Sequence, residues 1–168
     1  MNRRKIQISE AIGQLLVKQS AHELKNYNLY NSFANYFSLE GLVSLEEYYK
    51  KRALEEKNHH DWILTFLSDC DYRLEYPIIE QNTEQSVKNL IDPFYATVER
   101  EIQTTEMIYH IYDQAISEKD YMTCSWLLEL LIKEQVEEES LSRMALTIME
   151  KNGDIFVKAE EVLNLLEN

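Results

Sequence analysis

Glu56-Lys57-Asn58-His59 sets a carboxylate and an imidazole three residues apart, the spacing at which two side chains leave one face of a helix together. Such a pair can hold a metal ion, the carboxylate bridging and the ring adding a nitrogen donor. Alone, a Glu-x-x-His segment is common by chance and reads equally well as a surface salt-bridge stretch. Three further acids change the balance. Glu23, Glu101 and Glu138 each fall on the apolar stripe of a separate helical segment. Ionised carboxylates rarely stand there, because they lose hydration without gaining a partner. Four of them converging inside a bundle repel one another unless protons or cations compensate, and two divalent metal ions do this well. The residues therefore point to a di-metal carboxylate site.

The elements that must carry these groups are helices. Three glycines and two prolines leave few breaks in the chain. Apolar periodicity predicts an all-α fold with helices at about 9–38, 44–70, 92–118, 121–151 and 155–166, the last being short. The first stripe runs Ile12, Leu15, Leu16, Gln19, Glu23, Tyr27, Tyr30, Phe33, Ala34 and Phe37. Ser44 to Glu47 has the form of a capping box for the second helix, whose inward set is Leu45, Tyr48, Arg52, Glu56, His59, Ile63, Phe66 and Leu67. Arg52 is a candidate counter-charge. Asp92 and Pro93 suit the cap and first position of the third helix, where Phe94, Val98, Glu101, Thr105, Ile108, Tyr112 and Ala115 select Glu101 over Glu99 and Glu106. Asp120 can cap the fourth, with Leu127, Leu131, Glu134, Glu138, Leu141, Ala145 and Ile148 as its stripe. Phe156, Val162, Leu163 and Leu166 are the apolar positions of the fifth.

Residues 71–91 show no long helical period and far exceed an ordinary helix-to-helix link. Extended, such a segment reaches up to roughly 60 Å, and a helix of its neighbours' length spans roughly 40 Å. A crossover joining the second and third helices end to end is therefore expected. It brings Glu23, Glu56, Glu101 and Glu138 within roughly 5 Å of one level.

With 168 residues and 45% apolar content, the chain is expected to form one domain over residues 1–168. Its net charge of -13 argues against nucleic acid as a partner and favours small cations. Cys70 and Cys124 lie far apart and outside any CxxC pattern, so neither a disulfide framework nor a zinc ribbon is suggested. No secretory leader or membrane-spanning run is read, and a reduced cytoplasmic setting is expected.

Gln19-x-x-x-Glu23, Glu55-Glu56-x-x-His59, Glu101 and Glu134-Gln135-Val136-Glu137-Glu138-Glu139 together resemble the bacterial non-haem ferritins, over nearly the whole chain. The resemblance implies a ferritin-like four-helix bundle with a crossover between helices 2 and 3. It also implies a ferroxidase centre in which Glu23, Glu56 and His59 hold one iron and Glu56, Glu101 and Glu138 the other. Glu56 would be the bridge, Gln135 a neighbouring group, and Tyr30 a hydrogen-bond or electron donor beside the centre. A core tyrosine is the equally simple reading of Tyr30. Glu55, Glu134 and Glu137 match positions of an adjacent third iron site, although a solvated acidic face has the same sequence. His22 and His60 read as solvent-facing or supporting residues, and His110 is unassigned.

Departures sort the relatives. Bacterioferritins and rubrerythrins repeat Glu-x-x-His on the fourth helix, whereas this chain has Gln135-x-x-Glu138, and no haem is expected. The resemblance further implies iron storage and detoxification, oxidation of Fe(II) by O2, and deposition of ferric mineral inside a homo-oligomeric cage of twenty-four subunits. Hard carboxylate oxygens with one imidazole suit iron, and mostly anionic ligands favour the ferric state. Two alternatives remain in the sequence: a di-iron oxidase acting on an organic substrate, and a non-enzymatic helical bundle that buffers metal.

Overall fold

A computed structural model describes residues 7–76, 79 and 87–167. All elements among them are helical, in the order α1 (Glu10–Leu39), α2 (Val43–Asp69), α3 (Asp92–Glu118), α4 (Tyr121–Leu127), a π-helical turn (Leu128–Ile132), α5 (Lys133–Glu150) and α6 (Ile155–Asn164). Residues 77, 78 and 80–86 of the expected crossover, together with the N-terminal basic residues, lie outside the described residues.

Local chemistry sets the ends of the helices. Ser9 accepts from Ile12 N at 3.1 Å and opens α1. Asp120 accepts from Thr123 N and opens α4, as expected, and Asp154 does the same for α6 through Phe156 N and Val157 N. Gly41 turns the chain between α1 and α2 with φ +73°, a conformation open to glycine at no steric cost. The expected capping box does not form: α2 starts at Val43 with no side-chain cap, because Ser44 Oγ donates instead to Glu160 on α6 at 2.6 Å. Asp92 likewise is not the cap of α3. Its carboxylate reaches back to the amides of Lys88 and Asn89, and Ile91 takes the cap position with Pro93 in the first turn.

Two apolar clusters form the core. The first joins the C-terminal half of α1 (Leu29, Phe33, Phe37) to the start of α2 (Leu45, Tyr48, Tyr49), Phe94 of α3, Ala145 and Met149 of α5, and α6. Rings meet there at 5.3 Å (Phe33 and Tyr49) and 5.9 Å (Phe37 and Phe94). The second cluster joins the other ends: Ile12 and Leu16 of α1, Ile63 and Leu67 of α2, Ile108 and Ile111 of α3, with Leu127 and Leu131. Leu74 packs on the second cluster and Val87 on the first, so the described residues that flank the link between α2 and α3 lie at opposite ends of the bundle. This is the expected crossover, and it makes α2 and α3 run in the same direction. Between the clusters lies the polar layer that carries the acids.

The fourth helical segment departs from expectation. Across the π-helical turn the buried positions run Leu127, Leu131, Gln135, Glu138, Ser142, Ala145 and Met149, one continuous inward face. Gln135 thus faces inward where the expected stripe has Glu134, and Leu141 and Ile148 are only half-buried. Phe156, expected on the apolar face of the last helix, is 62% exposed.

Lys119, between α3 and α4, has a left-handed backbone (φ +60°), and Asp120 N bonds Ala115 O at 2.9 Å in the manner of a glycine-ended helix. A side chain at that φ costs roughly 1 kcal/mol. Lys119→Gly is therefore expected to raise stability by roughly 0.5–1 kcal/mol, read as a higher urea midpoint. An unchanged or lower midpoint would contradict this account of the turn.

Candidate metal centre

All of the primary acids reach the same volume. Glu23 from α1, Glu56 and His59 from α2, Glu101 from α3 and Glu138 from α5 are each at most 4% exposed. Their ligand atoms form two groups, Glu23-Glu56-His59 and Glu56-Glu101-Glu138, in each of which one atom per residue lies within 4.8 Å of the others. Glu56 belongs to both. No donor side chain or amide reaches either Glu56 carboxylate oxygen, Glu23 Oε2 or Glu138 Oε2, and the Glu23 and Glu56 carboxyls meet only each other, a contact that needs a proton between them. Buried charge-bearing oxygens left so incompletely satisfied fit a ligand set for cations far better than a finished polar core.

The supporting groups hold each acid in place. Gln19 Nε2 donates to Glu23 Oε1 at 2.6 Å, one turn away on α1. Glu101 is the most heavily bonded: Tyr30 OH and Arg52 Nη2 donate to its Oε1 at 2.7 and 2.6 Å, and Gln135 Nε2 donates to its Oε2 at 3.0 Å. The same amide reaches the Glu101 carbonyl at 3.1 Å. His59 Nε2 stands 3.6 Å from Glu138 Oε1. Tyr30 thus touches the centre as expected, and its ring also packs against Tyr49 at 6.0 Å, so it belongs to the core as well.

Burial dominates the titration of these groups. It raises Glu23 from 4.5 to about 7, with Glu101 adding repulsion, and holds Glu56 and Glu138 well above the ordinary carboxyl range. Burial lowers His59 to about 4, so its ring is a neutral donor at pH 7. A neutral ring is the form that binds metal.

Glu55 meets Arg52 Nη1 at 2.8 Å and its side chain is 40% exposed, which places it at the edge of the centre. Glu134 is half-buried and Glu137 exposed, both outside the two ligand groups. His22 and His60 are not solvent-facing. Thr104 Oγ1 gives its proton to Arg100 O, so it accepts from His22 Nε2 at 2.8 Å and from Asn26 Nδ2 at 3.3 Å. His60 Nδ1 donates to Ser20 O at 2.8 Å. These two rings brace α1 against α3 and α2 within one turn of Glu23. Neither brace is marked in the sequence, since an inward histidine and a surface one differ there only by phase. His110 is exposed.

Comparison with known proteins agrees with this architecture. Residues 13–151 match the family model described as Ferritin-like domain, and the chain belongs to that family. Among curated relatives it is 31% identical over 136 residues to the bacterial non-heme ferritin of Campylobacter jejuni, covering 81% of this chain and 80% of the relative. To the bacterial non-heme ferritin of Staphylococcus aureus it is 24% identical, covering 88% and 87%. Among solved structures, an open-pore ferritin from Archaeoglobus fulgidus superposes with a TM-score of 0.86 at 25% identity, over 94% of this chain and 98% of the other. The resemblance to bacterial non-haem ferritins thus extends over the bundle as a whole, beyond the motif residues.

The raised carboxyls give the metal-free protein a definite pH dependence. An unfolded chain releases the Glu23 proton near 4.5 and the fold retains it until about 7, so stability falls as pH rises through that window. Denaturant midpoints of metal-free protein at about pH 5 and about pH 7.5 should differ by roughly 1–3 kcal/mol in favour of the lower pH. The difference should shrink in Glu23→Gln. Equal midpoints for the parent protein would contradict the burial assigned to these acids.

Proposed function

We propose that this protein stores and detoxifies iron, oxidising Fe(II) with O2 at the two-ion carboxylate centre and depositing ferric mineral within a hollow homo-oligomer. The carrying observation is the pair of buried ligand groups that share Glu56 and leave four carboxylate oxygens without a donor side chain or amide. Fe(II) is the substrate: Glu23, Glu56 and His59 would receive one ion, and Glu56, Glu101 and Glu138 the other. Anionic oxygens stabilise the higher charge of Fe(III), which favours transfer of electrons from iron to dioxygen. Glu56 would keep the two ions close, Gln135 and Arg52 would hold Glu101 in position, and Tyr30 would donate a hydrogen bond to Glu101 or an electron at the edge of the centre. Glu55, Glu134 and Glu137 would form an acidic exit beside it, where a third iron could bind. No haem enters this reading.

An apolar pocket beside the metals would favour an organic substrate. The cavity that reaches Gln135, between Thr105, Ile108, Tyr109, Ile132, Val136 and Glu139, measures only about 40 Å³, room for water but not for a substrate molecule. A non-enzymatic buffering bundle would have its acids paired to basic side chains; Arg52 reaches Glu101 and Glu138, but among the described residues no such ion pair reaches Glu23 or Glu56.

Assembly is supported by the outer face of α3. Tyr95, Ile102, Tyr109 and Ile116 recur every seventh residue and are 42–51% exposed, an apolar seam along the helix. Such a seam suits burial between copies, and a cage of twenty-four subunits acting in the cytoplasm is the form implied by the bacterial ferritins. Among the described residues no helix is long and apolar enough to cross a membrane.

Anaerobic loading with Fe(II) followed by air should give rapid appearance of ferric absorption in the parent protein. In Glu56→Ala the rate should fall by about 100-fold or more, because both ions lose a ligand. Equal, slow oxidation by both proteins would overturn the proposal. Ile102→Glu with Ile116→Glu should convert a very large species on size-exclusion chromatography into small ones, and an unchanged elution would remove the seam from the assembly.

A further inference from the structure

Arg52 is the buried cation of the centre, and it distinguishes the two ligand groups. Its side chain is 1% exposed, on α2 one turn before Glu56. Nη2 binds Glu101 Oε1 at 2.6 Å, while Nη1 stands 3.5 Å from Glu138 Oε1 and 2.8 Å from Glu55 Oε2. Glu101 and Glu138 are two of the three acids of the second group. Glu101 has no free oxygen, since Tyr30 shares its Oε1 and Gln135 occupies its Oε2. The first group carries no guanidinium, and no donor reaches Glu23 Oε2 or either Glu56 oxygen.

We propose that Arg52 is a built-in competitor for the second ion, so that the two ions enter in a fixed order, with the guanidinium leaving Glu101 and Glu138 for Glu55 when the second arrives. This deepens the iron-oxidation reading and rests on it. A cation meeting the Glu23-Glu56-His59 group breaks no bond to a basic side chain. One meeting the Glu56-Glu101-Glu138 group must break a short charge-assisted bond to Glu101 and share the volume with a positive charge. Arg52 has a place to go. Glu55 is already in contact, lies one turn along the same helix, and is 40% exposed, so the displaced charge stays paired while it moves towards solvent. The Tyr30 ring lies 5.9 Å from the guanidinium carbon, a face attractive to a cation where Arg52 now sits. With the ions absent, the same residue offsets repulsion among the acids and keeps the ligands assembled.

The test is titration of chelator-treated protein with cobalt(II), which is inert to air oxidation in such sites and reports each binding step by calorimetry and by its visible absorption. The parent protein should bind two ions per chain in separate steps, the second at least about tenfold weaker. Arg52→Gln should bring the two steps together, and Arg52→Lys, which retains a charge, should keep them apart. Glu55→Gln should weaken the second step by about fivefold or more, because it removes the site to which the guanidinium retreats. Should Arg52→Gln fail to fold, the Glu55→Gln and Arg52→Lys arms decide. Two equal steps in the parent protein, or a second step unmoved by Arg52→Gln or by Glu55→Gln, would overturn the proposal while leaving the centre intact. Absence of any cobalt binding that depends on Glu56 would instead overturn the iron reading beneath it.

Discussion

Four carboxylates and one guanidinium share a dry volume halfway along the bundle, and the imbalance between them governs the rest of the molecule. Unpaired charge in such a place is tolerated only when protons or cations make up the difference. Glu23, Glu56 and Glu138 accordingly hold their protons to higher pH than exposed acids do, and Glu56 does so with no donor group of another residue type on either oxygen. The fold contains this repulsion by bracketing it. An aromatic cluster around Phe37, Tyr49 and Phe94 closes one side, and an aliphatic one around Leu16, Ile63 and Ile108 closes the other. Apolar burial at both ends offsets the electrostatic cost in the middle.

That division of labour also fixes topology. The acids come from α1, α2, α3 and α5, so the centre exists only when four elements are in register. Running α2 and α3 in the same direction requires the chain to cross the full length of the bundle. Short hydrogen bonds then refine the register: His60 to Ser20, His22 and Asn26 to Thr104, and Gln135 to the Glu101 backbone each link two elements near the level of the acids.

Much of this was legible in the residues. The stripe of α2 is reproduced in full, from Leu45 through Arg52, Glu56 and His59 to Leu67, because no local irregularity disturbs its period. Glu101 was separable from Glu99 and Glu106 by the same means, and both neighbours are exposed. Legibility failed where a side chain had a distant choice of partner. Ser44 has the sequence of a cap yet bonds to Glu160, 116 residues away, and Asp92 reaches backward rather than forward. It failed again after Leu131, where a step of three reaches Glu134 and a step of four reaches Gln135, and the fold turns Gln135 to Glu101. A period of 3.6 residues fits either step, and the wider turn at Leu128–Ile132 lies just before the choice.

That wider turn separates two properties of a helix usually treated as one, its length and its rotational phase. The buried positions before it, Leu127 and Leu131, and those after it, Gln135 and Ser142, lie on one inward face. The wider turn spans Leu128–Ile132, adjacent to the layer of buried acids but outside it. It alters the outer surface, where Leu128 is exposed, and leaves the face that carries Glu138 unrotated. Contour at the protein's exterior can therefore vary independently of the chemistry within.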